Sequence, residues 1–264
     1  MNVDARRQFL TDYRVIRRAE GRGSDDPAYY LALPFEDATG RHSAQWEIRA
    51  RSYSYFERNI LPEFEQKAQR PLDILDLGAG NGWMSYRLAL RGHRPVALDI
   101  FSDSRDGLRA AQHFPRAFPL CEAEFDQLPL VPDRFDLAIF NSSFHYSTKY
   151  HRTLREAGRC LRITGAVVIM DTPVYALHQD GERMVTERRE QFQRQYGFRS
   201  DALGNLEFLD ESGLEGLARE LDLEWRILRP WYGWRWHLRP LQAQLAGRRP
   251  PSRFWILVGR FCRP

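Results

Sequence analysis

The sequence predicts an α/β fold: a mostly parallel sheet with helices on both of its faces. Three observations carry that reading. A short apolar run at Ile74, Leu75 and Leu77 stops at a glycine-rich turn, a helix-compatible segment follows at once, and strand-length apolar runs then alternate with helix-length segments as far as Phe261. Strands buried on both faces read as continuous apolar runs, as these do. At 264 residues the chain is long enough for one large domain with additions.

Before the first strand, Asp4 to Glu20 reads as a helix, Gly21 to Gly40 as a turn-rich stretch, and Ser43 to Gln69 as one long helix ended by Arg70-Pro71. Residues 1–70 are therefore expected to form an N-terminal helical cap on a domain of residues 71–264. In that domain Leu72 to Leu77 gives a strand, Gly78, Gly80 and Gly82 a turn, Trp83 to Arg91 a helix stopped by Gly92, and Pro95 to Leu98 a second strand closing on Asp99. Arg134 to Asn141 reads as a further strand, Lys149 to Leu161 as a helix and Ala166 to Met170 as a strand. Residues 172–205 form a longer segment than a sheet needs. It includes a charged helix, Glu182 to Tyr196, and is expected as an insertion that supplies a wall over the strand ends. Leu209 to Leu221 reads as a crossover helix, Leu223 to Leu228 as a strand and Phe254 to Phe261 as the final strand.

The turn after the first strand carries the chemistry. Glycines there let backbone approach a ligand closely, and an acid at the end of the next strand suits a ribose diol. Dinucleotide enzymes favour Gly-x-Gly-x-x-Gly, in which a helix N-terminus receives a pyrophosphate. Here the run is Asp76-Leu77-Gly78-Ala79-Gly80-Asn81-Gly82, with the third glycine one place early and an acid two places before the first. That acid would repel a pyrophosphate and would suit the cationic amino-acid end of S-adenosylmethionine.

On these residues the chain resembles the class I, Rossmann-like S-adenosylmethionine-dependent methyltransferases, over roughly Leu72 to Met170. The resemblance implies a seven-stranded, mostly parallel sheet with an antiparallel last strand. It implies S-adenosylmethionine as cofactor and S-adenosylhomocysteine as product. It makes Asp76, Gly78, Ala79, Gly80, Asn81, Gly82, Asp99 and Ile100 cofactor-binding. Glu124 aligns with the adenine-contacting acid, with Phe125 beside it and Asp126 as the rival placement, in Cys121-Glu122-Ala123-Glu124-Phe125-Asp126-Gln127-Leu128-Pro129. Asn141 ends the fourth strand, and Ser142-Ser143-Phe144-His145-Tyr146 lies at its mouth, where substrate and methyl group should meet. Where the family usually has Arg-Pro-Gly-Gly, this chain reads Arg162-Ile163-Thr164-Gly165.

Methyl transfer is an in-line displacement, so alignment in a dry pocket supplies much of the catalysis and a dedicated base is optional. His145 is the catalytic candidate, the best-placed base if the acceptor is an alcohol; as an isolated histidine it reads more readily as one that simply packs. Phe144 and Tyr146 are substrate candidates. In this family N-terminal extensions commonly fold over the cofactor, which makes Asp25, Asp26, Tyr29, Tyr30, Arg41 and His42 candidate lid residues, Tyr29 and Tyr30 first. The expected acceptor is a small molecule, its reacting O, N or C atom open. The amino-base signature Asp/Asn-Pro-Pro-Tyr/Phe is only half matched by Asn141-Ser142-Ser143-Phe144, which lowers nucleic-acid methylation. RNA or protein methylation, a regulatory protein that binds the cofactor without turnover, and a dinucleotide oxidoreductase stay open at this stage.

Composition limits the partners. The chain carries 39 Lys and Arg against 35 Asp and Glu, a formal charge of +4. Cys121, Cys160 and Cys262 lack Cys-x-x-Cys spacing, and His145 and His151 do not share a helical face, so neither a disulfide framework nor a metal site is expected. No run of eighteen or more apolar residues occurs and Met1 to Glu20 lacks a signal core, so a cytoplasmic location is expected. After Glu224 there is no acid, while arginines accumulate beside Trp225, Trp231, Trp234, Trp236 and Trp255. That segment suits an anionic membrane surface, nucleic acid or an anionic substrate, or else a hydrophobic sheet-edge hairpin with solvated arginines. Lysine occurs only at Lys67 and Lys149, so arginine preference is a property of the whole chain.

Overall fold

The computed structural model describes residues 3–262. Its centre is a seven-stranded sheet made of β1 (Asp73–Leu77), β2 (Arg94–Asp99), β3 (Leu120–Glu122), β4 (Phe135–Asn141), β5 (Leu161–Met170), β8 (Leu223–Leu228) and β9 (Ile256–Phe261), in the order β3-β2-β1-β4-β5-β9-β8. β1 to β5 pair in parallel, and β9 runs antiparallel to both β5 and β8. The sequence-based expectation of a parallel sheet with an antiparallel last strand therefore holds. β1 and β4 are buried along almost their whole length, which is why they read as continuous apolar runs.

The chain winds outward from β1 in both directions, so strand order reverses between β1 and β4. A crevice at the carboxyl ends of the strands follows from that reversal. At the opposite ends an ionic cluster ties the strands together: Arg70 and Arg162 reach Asp136 at 2.8 and 3.1 Å, and Arg94 and Arg162 reach Asp73 at 2.7 and 2.8 Å.

Before the sheet come α1 (Val3–Ala19), α2 (Pro27–Ala32), α3 (Ser43–Asn59) and α4 (Leu61–Ala68). The single helix expected over Ser43 to Gln69 is thus two. Pro62 in the first turn of α4 has no N–H to donate, and Ile60 adopts φ −119° between the two helices. The remaining helices are α5 (Trp83–Leu90), α6 (Tyr150–Cys160), α7 (His178–Tyr196), α8 (Glu211–Leu221) and α9 (Trp234–Leu245). α7 begins four residues earlier than its charge pattern suggested, and α8 begins after Leu209 because Asp210 caps it, accepting from the Gly213 amide at 2.7 Å. Leu209–Asp210 (β7) instead pairs with Val174–Tyr175 (β6) in a small separate ribbon.

The C-terminal segment is not a plain hairpin, because α9 intervenes between β8 and β9. Cys121, Cys160 and Cys262 are free thiols. Among the described residues no helix is long and apolar enough to cross a membrane, and no group of three or more His, Cys, Asp or Glu side chains is placed to hold a metal ion.

Candidate active site

A cavity of about 430 Å³ lies at the carboxyl ends of β1, β2 and β4, within the size range of cofactor sites. Its floor is the turn after β1. Gly78 has φ +75°, and a Cβ there would stand 2.3 Å from the Ser143 Cβ, so only glycine lets the ends of β1 and β4 come this close. Gly80 has φ +55°, and a Cβ on it would meet no protein atom within 4 Å; it would project into the space the cavity keeps for a ligand.

Asp99 holds that turn in place. Its Oδ2 accepts from the Gly80 amide at 2.9 Å and its Oδ1 from the Phe101 amide at 2.9 Å, and a carboxylate can accept more than these. Burial raises its carboxyl above the ordinary carboxylate range, with the Phe101, Gly80 and Ile100 amides acting against the rise. Ile100, Glu124, Phe125 and Asp126 continue the wall from Asp99. Glu124 is paired to Arg6 of α1 at 3.5 Å, Phe125 stands edge-on to Phe140 at 5.4 Å, and Asp126 accepts from Thr153 at 2.7 Å.

The far end of the cavity presents unsatisfied polar groups of opposite kind. Asn141 Oδ1, at the end of β4, is a buried acceptor without a hydrogen-bond partner, and Trp46 Nε1 on α3 is a buried donor without one. Arg49, one helical turn along from Trp46, stacks over the Trp46 ring at 4.7 Å and donates to Ser142 Oγ at 3.3 Å. Burial pulls the Arg49 pKa down, and Arg22 and Arg17 add to the effect. The Asp171 carboxylate nearby acts against that fall, and a half-buried guanidinium among cations gains from a further anion.

The roof is α1, which lays Ala5, Phe9, Tyr13 and Arg17 over the cavity. Tyr13 meets Phe101 edge-on at 5.1 Å and Tyr146 at 5.9 Å, and Arg17 is ion-paired to Asp106 in the loop after β2. Tyr146, Ser147, Thr148, Lys149, Ala202 and Leu203 form the remaining side.

Of the residues expected at the site, Gly78, Ala79, Gly80, Asn81, Asp99, Ile100, Glu124, Phe125, Asn141 and Tyr146 share this cavity. Others stand elsewhere. Asp76 is buried beneath the turn, where its Oδ2 accepts from Ser85 Oγ at 2.7 Å, and burial pushes its pKa up to about 7. It braces α5 and does not face the cavity. Gly82 caps α5 and packs beneath Phe118.

Tyr29 and Tyr30 are buried among the N-terminal helices, because their apolar rings complete a core that α2 alone could not. The Tyr30 hydroxyl donates to the backbone carbonyls of Ser24 and Arg105 at 2.7 and 2.6 Å, and its ring stacks on His113 at 4.4 Å. Phe144 is fully buried and stacked on Tyr150 at 4.5 Å. His145 lies outside the cavity lining with Nδ1 buried and unpartnered, and burial, then Arg188 and Arg49, push its pKa down to about 3. Such an imidazole is neutral near pH 7 and too weak a base to take an alcohol proton.

Sequence reasoning missed Phe9, Tyr13, Arg17, Trp46 and Arg49. A signal was available: Phe9, Tyr13 and Arg17 recur at a spacing of four in an expected helix, which puts them on one face.

A family model described as a methyltransferase domain matches residues 75–169, from β1 through β5. Over β1 to β5 the chain carries a methyltransferase domain. The chain is 26% identical over 133 residues to the malonyl-(acyl-carrier protein) O-methyltransferase of Legionella pneumophila, covering 50% of this chain and 47% of that one. The corresponding enzyme of Geobacter sulfurreducens is 29% identical over 176 residues, covering 65% of this chain and 56% of that one. The chain thus spans about half the length of these curated relatives. A solved S-adenosylmethionine-dependent methyltransferase from Mesorhizobium loti has the same fold, with a TM-score of 0.53 at 19% identity over 75% of this chain and 97% of that one.

Proposed function

We propose that this protein transfers the methyl group of S-adenosylmethionine to a small-molecule acceptor. The observation that supports this best is one cavity whose polar groups match the cofactor from end to end. Asp99 offers its carboxylate to a ribose diol, Glu124 and Phe125 flank the adenine position, and Gly80 leaves room for the cofactor against the backbone. Asn141 Oδ1 would accept from the amino-acid ammonium, and Arg49 with Trp46 Nε1 would donate to the carboxylate.

When bound, S-adenosylmethionine supplies a methyl group on a positive sulfonium, open to in-line displacement. The chain's own part is to bind, orient and exclude water. Phe9, Tyr13 and Trp46 cover the site with aromatic surface, which keeps it dry and strengthens the electrostatic contacts inside. Tyr146, Lys149 and Leu203 border the side left for the acceptor. No side chain is assigned as a general base, since alignment alone serves an acceptor that loses its proton readily. We also propose residues 1–70 as a cap and 172–205 as a side wall, supported by the cavity residues that α1, α3, Ala202 and Leu203 supply.

The relatives named as malonyl-(acyl-carrier protein) O-methyltransferases support an acceptor delivered as a small acyl group. The test is transfer of labelled methyl from S-adenosylmethionine to a panel of small acids, phenols and amines, with S-adenosylhomocysteine quantified. Label in a small product supports the reading. Label in RNA or in a polypeptide side chain would replace the acceptor class, and binding without any transfer would leave a cofactor-binding regulator.

A further inference from the structure

Between β8 and β9 the chain leaves the sheet to form α9. The inward positions Trp236, Arg239 and Ala243 are half-buried, and Trp236 packs on Tyr232 and Phe254 at 5.1 and 5.2 Å. The opposite side is unusual. Trp234, Leu238, Leu241 and Leu245 follow at spacings of four, three and four, so they fall in one narrow stripe, and they are 75%, 47%, 53% and 80% exposed. Trp231, 52% exposed and edge-on to Trp234 at 5.0 Å, extends the stripe beyond the helix.

A helix on a protein in water normally turns its apolar stripe inward. This one uses its half-buried side to attach to the body and turns five large apolar side chains outward. A contiguous patch of that kind marks an interaction surface.

The charge beside it identifies the partner. From Trp225 to Pro264 the sequence carries nine arginines and no aspartate or glutamate; Arg226, Arg249, Arg253 and Arg260 pair with Glu63, Glu187 and Glu211, so the charge beside the stripe rests on Arg235 and Arg248. Arg235 on α9 and Arg248 just after it are exposed, and so is His237. A second copy of this chain would bring the same positive charge to the contact and be repelled. An outward row of Trp and Leu flanked by arginines instead matches the pattern of helices that lie in a lipid interface, with the apolar side chains at the headgroup boundary and the cations on lipid phosphates.

We propose that α9, with Trp231, is the face by which this protein docks on an anionic lipid surface. The inference is independent of the methyl-transfer reading. The test is co-sedimentation of the full chain with phosphatidylcholine vesicles, with and without phosphatidylglycerol, alongside tryptophan emission. Two double variants, Leu238→Glu/Leu241→Glu and Arg235→Glu/Arg248→Glu, replace exposed side chains only, and unchanged thermal melting verifies their fold. The expected result is binding to phosphatidylglycerol vesicles, a blue shift in emission, release by salt, and a loss of at least about tenfold in each variant. Equal binding by the variants, no preference for the anionic vesicles, or no binding at all would overturn the proposal. So would a dimer that the Leu238→Glu/Leu241→Glu variant abolishes, since a second copy would then occupy the stripe.

Discussion

The Gly80 amide donates to Asp99 Oδ2 across 2.9 Å, and this bond joins the turn after β1 to the end of β2 at the floor of the cavity. It fixes the turn before any ligand arrives and leaves Asp99 in the cavity wall. Backbone geometry, cavity shape and polar chemistry therefore meet at two residues, and substitutions nearby should separate their effects.

Gly78 and Gly80 are both left-handed, yet they should fail differently. Gly78→Ala places a Cβ against Ser143 and should destabilise the fold by about 1–3 kcal/mol beyond the conformational cost. Gly80→Ala meets open space and should cost only the conformational penalty of about 1–2 kcal/mol, while weakening cofactor affinity. Thermal melting read beside cofactor titration checks the pair. Equal stability losses would contradict the packing difference.

Arg49 is a half-buried cation that donates to a hydroxyl, stacks on an indole face and is favoured by the nearby Asp171 carboxylate. Arg49→Ala should raise KM for S-adenosylmethionine by about tenfold or more, the scale of a charge-assisted hydrogen bond of about 1.5–3 kcal/mol. The ligand-free protein should lose little stability, because the half-buried guanidinium is removed together with its desolvation cost. A marked fall in melting temperature with an unchanged KM would assign Arg49 to structure.

The central half of the fold was readable in the sequence because fully buried parallel strands leave continuous apolar runs, and the turn between β1 and α5 carries its own glycine pattern. The cofactor floor followed from the same residues. The roof did not, because Phe9, Tyr13, Trp46 and Arg49 reach the cavity through tertiary packing of α1 and α3, which local pattern does not encode. Tyr29 and Tyr30 misled for the complementary reason: a tyrosine pair in a turn-rich stretch looks like a lid until the core that it fills is seen. Asp76 shows the limit of motif alignment, since strand alternation turned its side chain under the turn toward Ser85.

Asp76 also makes a pH prediction. Burial raises its pKa to about 7, against an ordinary carboxylate value of about 4. Between those values the folded chain holds a proton that the unfolded chain has released, so stability from this group falls by up to about 1.4 kcal/mol per pH unit as pH rises. Asp76→Asn keeps an acceptor for Ser85 and carries no charge. Its stability relative to the parent should rise from pH about 4 to about 7 and then level off, as read by urea unfolding. Parallel stability curves would contradict a raised Asp76.

His145→Gln should leave turnover within about threefold, far short of the ~10²–10⁴-fold loss expected on removing a general base. The pH–rate profile should show no inflection that this substitution abolishes, because the imidazole is already neutral above pH about 3. Loss of an inflection in the variant would restore His145 to the reaction.

The most direct test of the account is calorimetric titration of the protein with S-adenosylmethionine, S-adenosylhomocysteine and NAD, repeated on Asp99→Ala. The account predicts that the first two bind, that NAD does not, and that the substitution weakens both by at least about tenfold through loss of the ribose acceptors. Binding of NAD alone, or cofactor binding that ignores the loss of Asp99, would contradict it.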